Sequence, residues 1–384
     1  MMRGTQSFDR PHPSVAPLFE PVTLGSLALR NRLVMAPMTR ACSPGGIPGA
    51  NVAAYYRRRA EGGIGLIITE GTWIGHASAS NDPNVPDFHG AAALAGWREV
   101  CRQVHEAGGK IVPQLWHVGA AAKSEVAEIY EDRVAVETER LGPSGLVKAG
   151  VAGGRAMTTS EIEAIIEAYA DAAASAQALG FDGVEIHGAH GYLVDQFFWH
   201  ETNARGDHFN GDIAARTQFA ADIVHRIRSR TAPDFPIILR FSQWKMQDYG
   251  ARAWPTPDDL TAFLRPLVDA GVDIFHCSQR RYWEAEFPGS DLNLAGWTRK
   301  LSGKPAITVG SVTLSAEMIA TLMDGEKASI RPIDDLVERV GRHEFDLVAI
   351  GRALITNPDW PRVVAAGGAG SLKSFSVGAL AELI

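Results

Sequence analysis

Residues 183–198 read GVEIHGAHGYLVDQFF, with His187 and His190 three apart and Tyr192 two further on. Two imidazoles and a phenol at this spacing have three uses. They can ligate a metal, sit as hydrogen-bonded core side chains, or present donors to a substrate oxygen. A zinc site needs three or four ligands; HGAH supplies two and no third is fixed by spacing. Gly188 and Gly191 read as exposed loop backbone, which speaks against the core reading. The three readings stay open until the surrounding elements are placed.

Short apolar, β-branched runs recur: RLVMAPM (32–38), GLIITEG (65–71), KIVPQLWH (110–117), GVEIHG (183–188), PIILRFS (236–242), DIFHCS (273–278), AITVGS (306–311) and DLVAIG (346–351). Such runs read as strands buried on both faces, as parallel strands are. Helical patterns lie between them. The clearest spans 160–179, with Ser160 as cap, Glu163 closing a capping box and Gly180 as the stop. Ile162, Ile165, Ile166, Tyr169, Ala173 and Ala176 form its apolar stripe. Eight strands alternating with helices are the count of a (β/α)8 TIM barrel, of class α/β. A doubly wound sheet is the alternative, and no G-x-G-x-x-G follows the first strand to support it. LFEPVTLGSLALRN reads as a hairpin turning at Gly25-Ser26, placed to plug the barrel bottom. The widest gap follows strand three. There a Gly/Pro-punctuated stretch, about 120–158, reads as an excursion over the top face.

In this architecture chemistry gathers at the C-terminal strand ends. Strand one ends in Pro37, Met38, Thr39 and Arg40, and strand two in Glu70 and Gly71. Strand three carries Gln114, Trp116 and His117; strand four delivers His187, His190 and Tyr192; strand five carries Arg240 and Ser242. Strands seven and eight end in Gly310-Ser311 and Gly351-Arg352. Glycine lets backbone N–H groups approach a phosphate, and an arginine adds charge-assisted bonds. Both pairs together point to a phosphate site, although either glycine alone reads equally as a βα turn.

The length suits two or three domains, or one barrel. We read residues 1–16 as a flexible arm and 17–384 as a single TIM-barrel domain. Apolar residues make up 46% and charged residues 21%, which suits a soluble enzyme. A net charge of −7 gives nucleic acid no footing. YYRRRAEGG reads as the solvated end of a helix. Cys42, Cys101 and Cys277 lie far apart, which disfavours a zinc ribbon or iron–sulfur cluster and suits a reducing cytoplasm. No metal is expected. No run of about 18 apolar residues is present to span a membrane.

Six segments, LFEPVTLGSLALRNRLVMAPMTR, IITEG, QLWH, HGAHGYLVDQFF, LRFS and IGRALITNPDW, fall in order between about residues 17 and 362. Together they resemble the old yellow enzyme family of NADH:flavin oxidoreductases, which are FMN-dependent ene-reductases. The resemblance implies FMN on the top face, reduced by NADPH or NADH, and an enone or nitro compound as oxidant in a ping-pong sequence. It implies flavin contacts from Pro37, Met38, Thr39, Gly71, Gln114 and Arg240, and phosphate contacts from Gly310, Ser311, Gly351 and Arg352. It makes His187 and His190 the donors that hold the substrate oxygen and Tyr192 the proton donor. An unperturbed tyrosine titrates near 10 and keeps its proton at neutral pH. Trp116 and Tyr282, with Trp283, are expected to shape the substrate end; packing of the loop itself is the other reading of the last two. A homo-oligomer is compatible with this reading.

Some positions depart from the family pattern. Gln243-Trp244-Lys245 follow LRFS where many members have proline, and Phe209-Asn210 stand where Tyr-Gly is usual. Position 39 is threonine where another branch has cysteine, and the C-terminal tail lacks the aromatic pair that closes the pocket in some relatives. Three rivals remain. A dienoyl-CoA or amine dehydrogenase module would be longer and carry a cysteine-bound cluster. A flavin binder without turnover would not need Tyr192. A non-flavin aldolase-like barrel would be colourless.

Overall fold

The computed structural model describes residues 11–121, 138–322 and 325–384. Residues 1–10 of the expected arm and 122–137 of the expected excursion lie outside the described residues. Pro13–Val15 form a 3-10 turn leading into the short helix Ala16–Phe19.

All eight apolar runs are strands: β1 Leu33–Met35, β2 Leu66–Trp73, β3 Lys110–Trp116, β4 Val184–His190, β5 Ile237–Lys245, β6 Ile274–Ser278, β7 Ala306–Val309 and β8 Leu347–Ile350. They pair in parallel, in sequence order, into a closed barrel. The outer helices are α1 Ala50–Glu61, α2 Ala91–Glu106, α3 Thr159–Leu179, α4 Leu193–Phe198, α5 Ile213–Arg230, α6 Pro257–Ala270, α7 Leu294–Ser302 and α8 Asp334–Gly341. Among the described residues no helix is long and apolar enough to cross a membrane.

Strand alternation divides the barrel wall into two sets. Leu33 and Met35 pack outward among the helices, whereas Val34 and Ala36 join an inner cluster with Leu66, Val112, Ile238, Ile274, Ile307 and Leu347. Leu27 and Leu29 belong to that inner cluster. They come from the expected hairpin, Val22–Leu24 against Leu27–Leu29, which turns at Gly25 (φ 60°) and plugs the barrel. Two residues further along the inward rows the side chains become polar: Gln114 follows Val112, Arg240 follows Ile238, and His276 follows Ile274.

Two local expectations are corrected. The α3 cap is Thr158, not Ser160, and its capping-box partner is Glu161, not Glu163. The sequence offers both frames; Arg155 pairs with Glu161 at 2.6 Å and selects the earlier one. The predicted stripe and the left-handed stop at Gly180 (φ 88°) stand. In α1, Arg59 is buried rather than solvated. Its guanidinium lies 3.8 Å over the Tyr55 ring, bonds the carbonyls of Tyr55 and Leu354, and also reaches that of Ile384. The described part of the excursion forms small strand pairs, and one of them, Leu141–Gly142 with Arg155–Ala156, packs beside α4.

Leu29 fills the barrel floor, so truncation leaves a void there. Leu29→Ala is expected to lower unfolding free energy by about 2–4 kcal/mol, read from urea unfolding midpoints.

Candidate active site

A cleft of about 1370 Å³, counting its open mouth, crosses the C-terminal ends of the strands. Pro37, Met38 and Thr39 after β1 form part of its floor, and Gln114 and Trp116 enter from β3. His187, His190 and Tyr192 come from β4, and Arg240 and Trp244 from β5.

The two imidazoles face each other edge to face, ring centres 5.2 Å apart, and Tyr192 lies 5.2 Å from His187. Each histidine is backed by a tryptophan. Trp116 stacks on His187 at 5.6 Å, and Trp244 stacks on His190 at 4.4 Å. Gly188 and Gly191 are buried, so their supposed exposure was not a valid objection to the core reading. The better evidence is that both imidazoles line the cleft. Among the described residues no group of three or more His, Cys, Asp or Glu is arranged to hold a metal.

Burial holds both histidines well below the ordinary imidazole pKa, and the Arg240 guanidinium pushes the same way. Both are neutral at pH 7, so each has one N–H. The Ala189 N–H donates to His187 Nδ1 at 3.4 Å, which places the His187 proton on Nε2. His190 Nε2 lies 2.8 Å from Ser278 Oγ, and Arg240 donates to that same oxygen at 3.4 Å. Ser278 Oγ can donate to His190 Nε2 or accept from it, so this contact is satisfied with the imidazole proton on either nitrogen.

Beneath them lies an interaction that the sequence did not flag. Glu185 is fully buried; its carboxylate accepts from Gln114 Nε2 at 2.7 Å and from His276 Nδ1 at 2.7 Å. Burial lowers the His276 pKa despite Glu185. Strand periodicity was the available signal. Glu185 stands two residues before His187 and shares its inward face, and His276 interrupts an apolar run.

At the other end Gly310, Ser311, Gly351 and Arg352 meet as expected and line the cleft, with Arg280 added. Gly310 has φ 145°, and a Cβ there would sit 2.7 Å from the Gln279 carbonyl oxygen. A Cβ on Gly351 would point at the Met38 sulfur, 3.6 Å away, across the cleft floor. Burial lowers Arg352 to about 10, with Glu317 opposing the shift, so it stays cationic at neutral pH. The residues present fit FMN. The floor between the two ends is apolar, the glycine-and-arginine end suits a phosphate, and Gln114 keeps one amide N–H and its carbonyl oxygen for a heterocycle edge.

Not every expected residue lies at the cleft. Gly71 is buried behind Trp116, where a Cβ would overlap the indole. Tyr282 does not line the cleft: it is buried, its hydroxyl donates to Asp335 at 2.6 Å and accepts from Arg331 at 2.8 Å. Trp283 lies beneath the Arg331 guanidinium, so both residues pack against the 331–335 stretch and not into the cleft. The tail does reach the site, through Phe375 and Leu380.

A model of the NADH:flavin oxidoreductase / NADH oxidase family matches residues 17–369. The 12-oxophytodienoate reductase 7 of Oryza sativa subsp. japonica is 36% identical over 388 residues, covering 91% of this chain and 89% of that protein. The NADH oxidase of Thermoanaerobacter brockii is 32% identical over 356 residues, 90% of this chain; the chain spans about half (50%) of that protein's length. Among solved structures, morphinone reductase in complex with tetrahydroNAD superposes with a TM-score of 0.77 at 28% identity, covering 94% of this chain and 93% of that one.

His117, at the end of β3, supports the site from behind: its carbonyl accepts the Leu193 N–H at the start of α4. Its ring is buried between the Gly119 N–H and Ser78 Oγ, and burial lowers its pKa to about 3. Below about pH 6.5 the unfolded chain takes a proton here that the native chain refuses, so acidification costs about 1.4 kcal/mol per pH unit from this group. His117→Gln is expected to flatten the pH 4.5–6 slope of unfolding free energy by about 1 kcal/mol per unit, measured by urea unfolding at several pH values.

Proposed function

The chain belongs to the NADH:flavin oxidoreductase / NADH oxidase family and is an FMN-dependent oxidoreductase of the ene-reductase type; we propose that its substrates are α,β-unsaturated carbonyl or nitro compounds, reduced at the C=C bond in a ping-pong sequence with NADPH or NADH. One observation carries this reading: two neutral imidazoles and a tyrosine converge at the polar end of the cleft, 5.2 Å ring to ring, beside Gln114 and Arg240.

Bound FMN would supply the two-electron chemistry, hydride transfer between a nicotinamide and an alkene carbon. Pro37, Met38 and Thr39 of the cleft floor would hold the flavin, Gln114 would offer its free amide N–H and carbonyl oxygen to the ring's polar edge, and Arg240 would place positive charge beside it. Gly71 supports this wall through Trp116. Gly310, Ser311, Gly351 and Arg352 would hold the phosphate. The nicotinamide and the alkene would take turns in the cleft, which Trp116 and Trp244 line.

His187 and His190 donate to the carbonyl or nitro oxygen of the alkene. Negative charge grows on that oxygen as the β-carbon is reduced, so these bonds strengthen towards the transition state. Neutral donors suit the task, because they polarise the oxygen without adding a second buried cation beside Arg240. Tyr192 delivers the proton to the α-carbon. Residues 17–384 act as one FMN-binding unit, and the dispersed free cysteines favour the cytoplasm.

The purified protein is expected to be yellow and to oxidise NADPH in dependence on added 2-cyclohexenone. Tyr192→Phe should slow that turnover by about 10²-fold or more while stopped-flow reduction by nicotinamide stays near normal; equal loss in both half-reactions would remove Tyr192 from the proposed role. His187→Ala should weaken p-hydroxybenzaldehyde binding, read from the flavin spectrum, by about 1.5–3 kcal/mol; an unchanged titration would count against the two-histidine clamp.

A further inference from the structure

Directly behind the His190–Tyr192 turn lies an ion pair that no step above uses. Lys245 Nζ is 2.6 Å from Asp195 Oδ1, and both side chains are fully buried. Burial pushes Lys245 down and Asp195 up in pKa, each opposed by its partner's charge. The two groups are wired to the turn's backbone. Asp195 Oδ2 accepts the Gly191 N–H at 2.7 Å. Lys245 Nζ also donates to the Ser242 carbonyl at 2.9 Å, and Ser242 Oγ accepts the His190 N–H at 2.9 Å. Across the barrel wall Gly188 pairs with Phe241 but His190 pairs with Lys245, so β5 bulges between these contacts and Trp244 rides on the bulge.

The turn needs holding. His190 has φ 67° and Gly191 has φ 82°. The left-handed region is unfavourable for a histidine and persists only where the surroundings over-determine it. A fully buried ion pair is a poor source of stability, since desolvation offsets its attraction, but it does fix direction and register. We infer that Lys245 is a positioning residue: with Asp195 it latches the strained His190–Gly191 turn, so that the His190 imidazole and the Tyr192 phenol are held at the cleft wall in one arrangement. This rests on the reading of His190 and Tyr192 as substrate-facing groups.

The double variant Lys245→Met/Asp195→Asn removes both charges, comes within one atom of the original side-chain lengths and leaves an amide oxygen for the Gly191 N–H. With the latch weakened, the FMN content and melting temperature should stay close to wild type. The p-hydroxybenzaldehyde Kd should rise, and kcat with 2-cyclohexenone should fall, each by about tenfold or more, the order expected when a reacting group shifts by a fraction of an ångström. An unchanged Kd and kcat in the folded double variant would overturn the inference and leave the pair as core filler. Should the variants not fold, amide hydrogen exchange in the wild-type protein decides: Gly191 should exchange as slowly as Ile186 in β4, and exchange at the rate of an open loop would overturn the latch. A wild-type protein that neither binds the aldehyde nor reduces enones would defeat the functional reading, whereas the exchange measurement would still judge the latch.

Discussion

A carboxylate inside a barrel must be satisfied by its neighbours, and Glu185 sets that condition for the whole site. It has no exposure to water, and both of its oxygens are engaged, by Gln114 from β3 and His276 from β6. An unpaired charge there would be costly. The three strands therefore have to meet in one register, and the polar layer they form is the floor on which the site's donors stand. Arg240, on β5 between β4 and β6, adds the positive charge that balances this layer.

The barrel is divided by height. Below Glu185 the inward rows are aliphatic and are closed by Leu27 and Leu29 of the hairpin. Above it the inward positions of β3 to β6, among them Gln114, His187, Arg240 and Ser278, can hydrogen-bond or carry charge, whereas Ala36, Val309 and Ala349 keep the rest of the cleft floor apolar. The lower half supplies hydrophobic stability through buried area; the upper half supplies direction, because hydrogen bonds fix geometry more strongly than they add net energy. On β3, β5 and β6 the transition takes one step of two residues: Val112 to Gln114, Ile238 to Arg240 and Ile274 to His276.

The same burial sets the protonation of the histidines. Dehydration and the nearby guanidinium both disfavour an imidazolium, so His187 and His190 are held neutral, and the Ala189 N–H keeps the His187 proton on Nε2. Their tryptophan neighbours fix the ring planes. In the proposed reaction a developing oxyanion would meet donors that need no reorganisation when charge appears, which is where electrostatic catalysis has its effect.

Elements whose signal is local were legible in the sequence. Eight apolar runs, the stripe of α3, the Gly25 turn and the glycines that end β7 and β8 follow from the period of a strand or helix and from the backbone freedom of glycine. Six ordered segments carried the family and most of the site residues. What depends on partners distant along the chain was not legible. Glu185 meets His276 across 91 residues and Lys245 meets Asp195 across 50. The choice between two capping frames in α3 rested on Arg155, the burial of Arg59 on the far carbonyls of Leu354 and Ile384, and the removal of Tyr282 from the cleft on Asp335 and Arg331. The sequence by itself determined which residues alternate and which face they share. Only the closed barrel decided which of those faces meet, because a hydrogen bond or ion pair between separate elements exists only once the chain has brought both ends within about 3 Å.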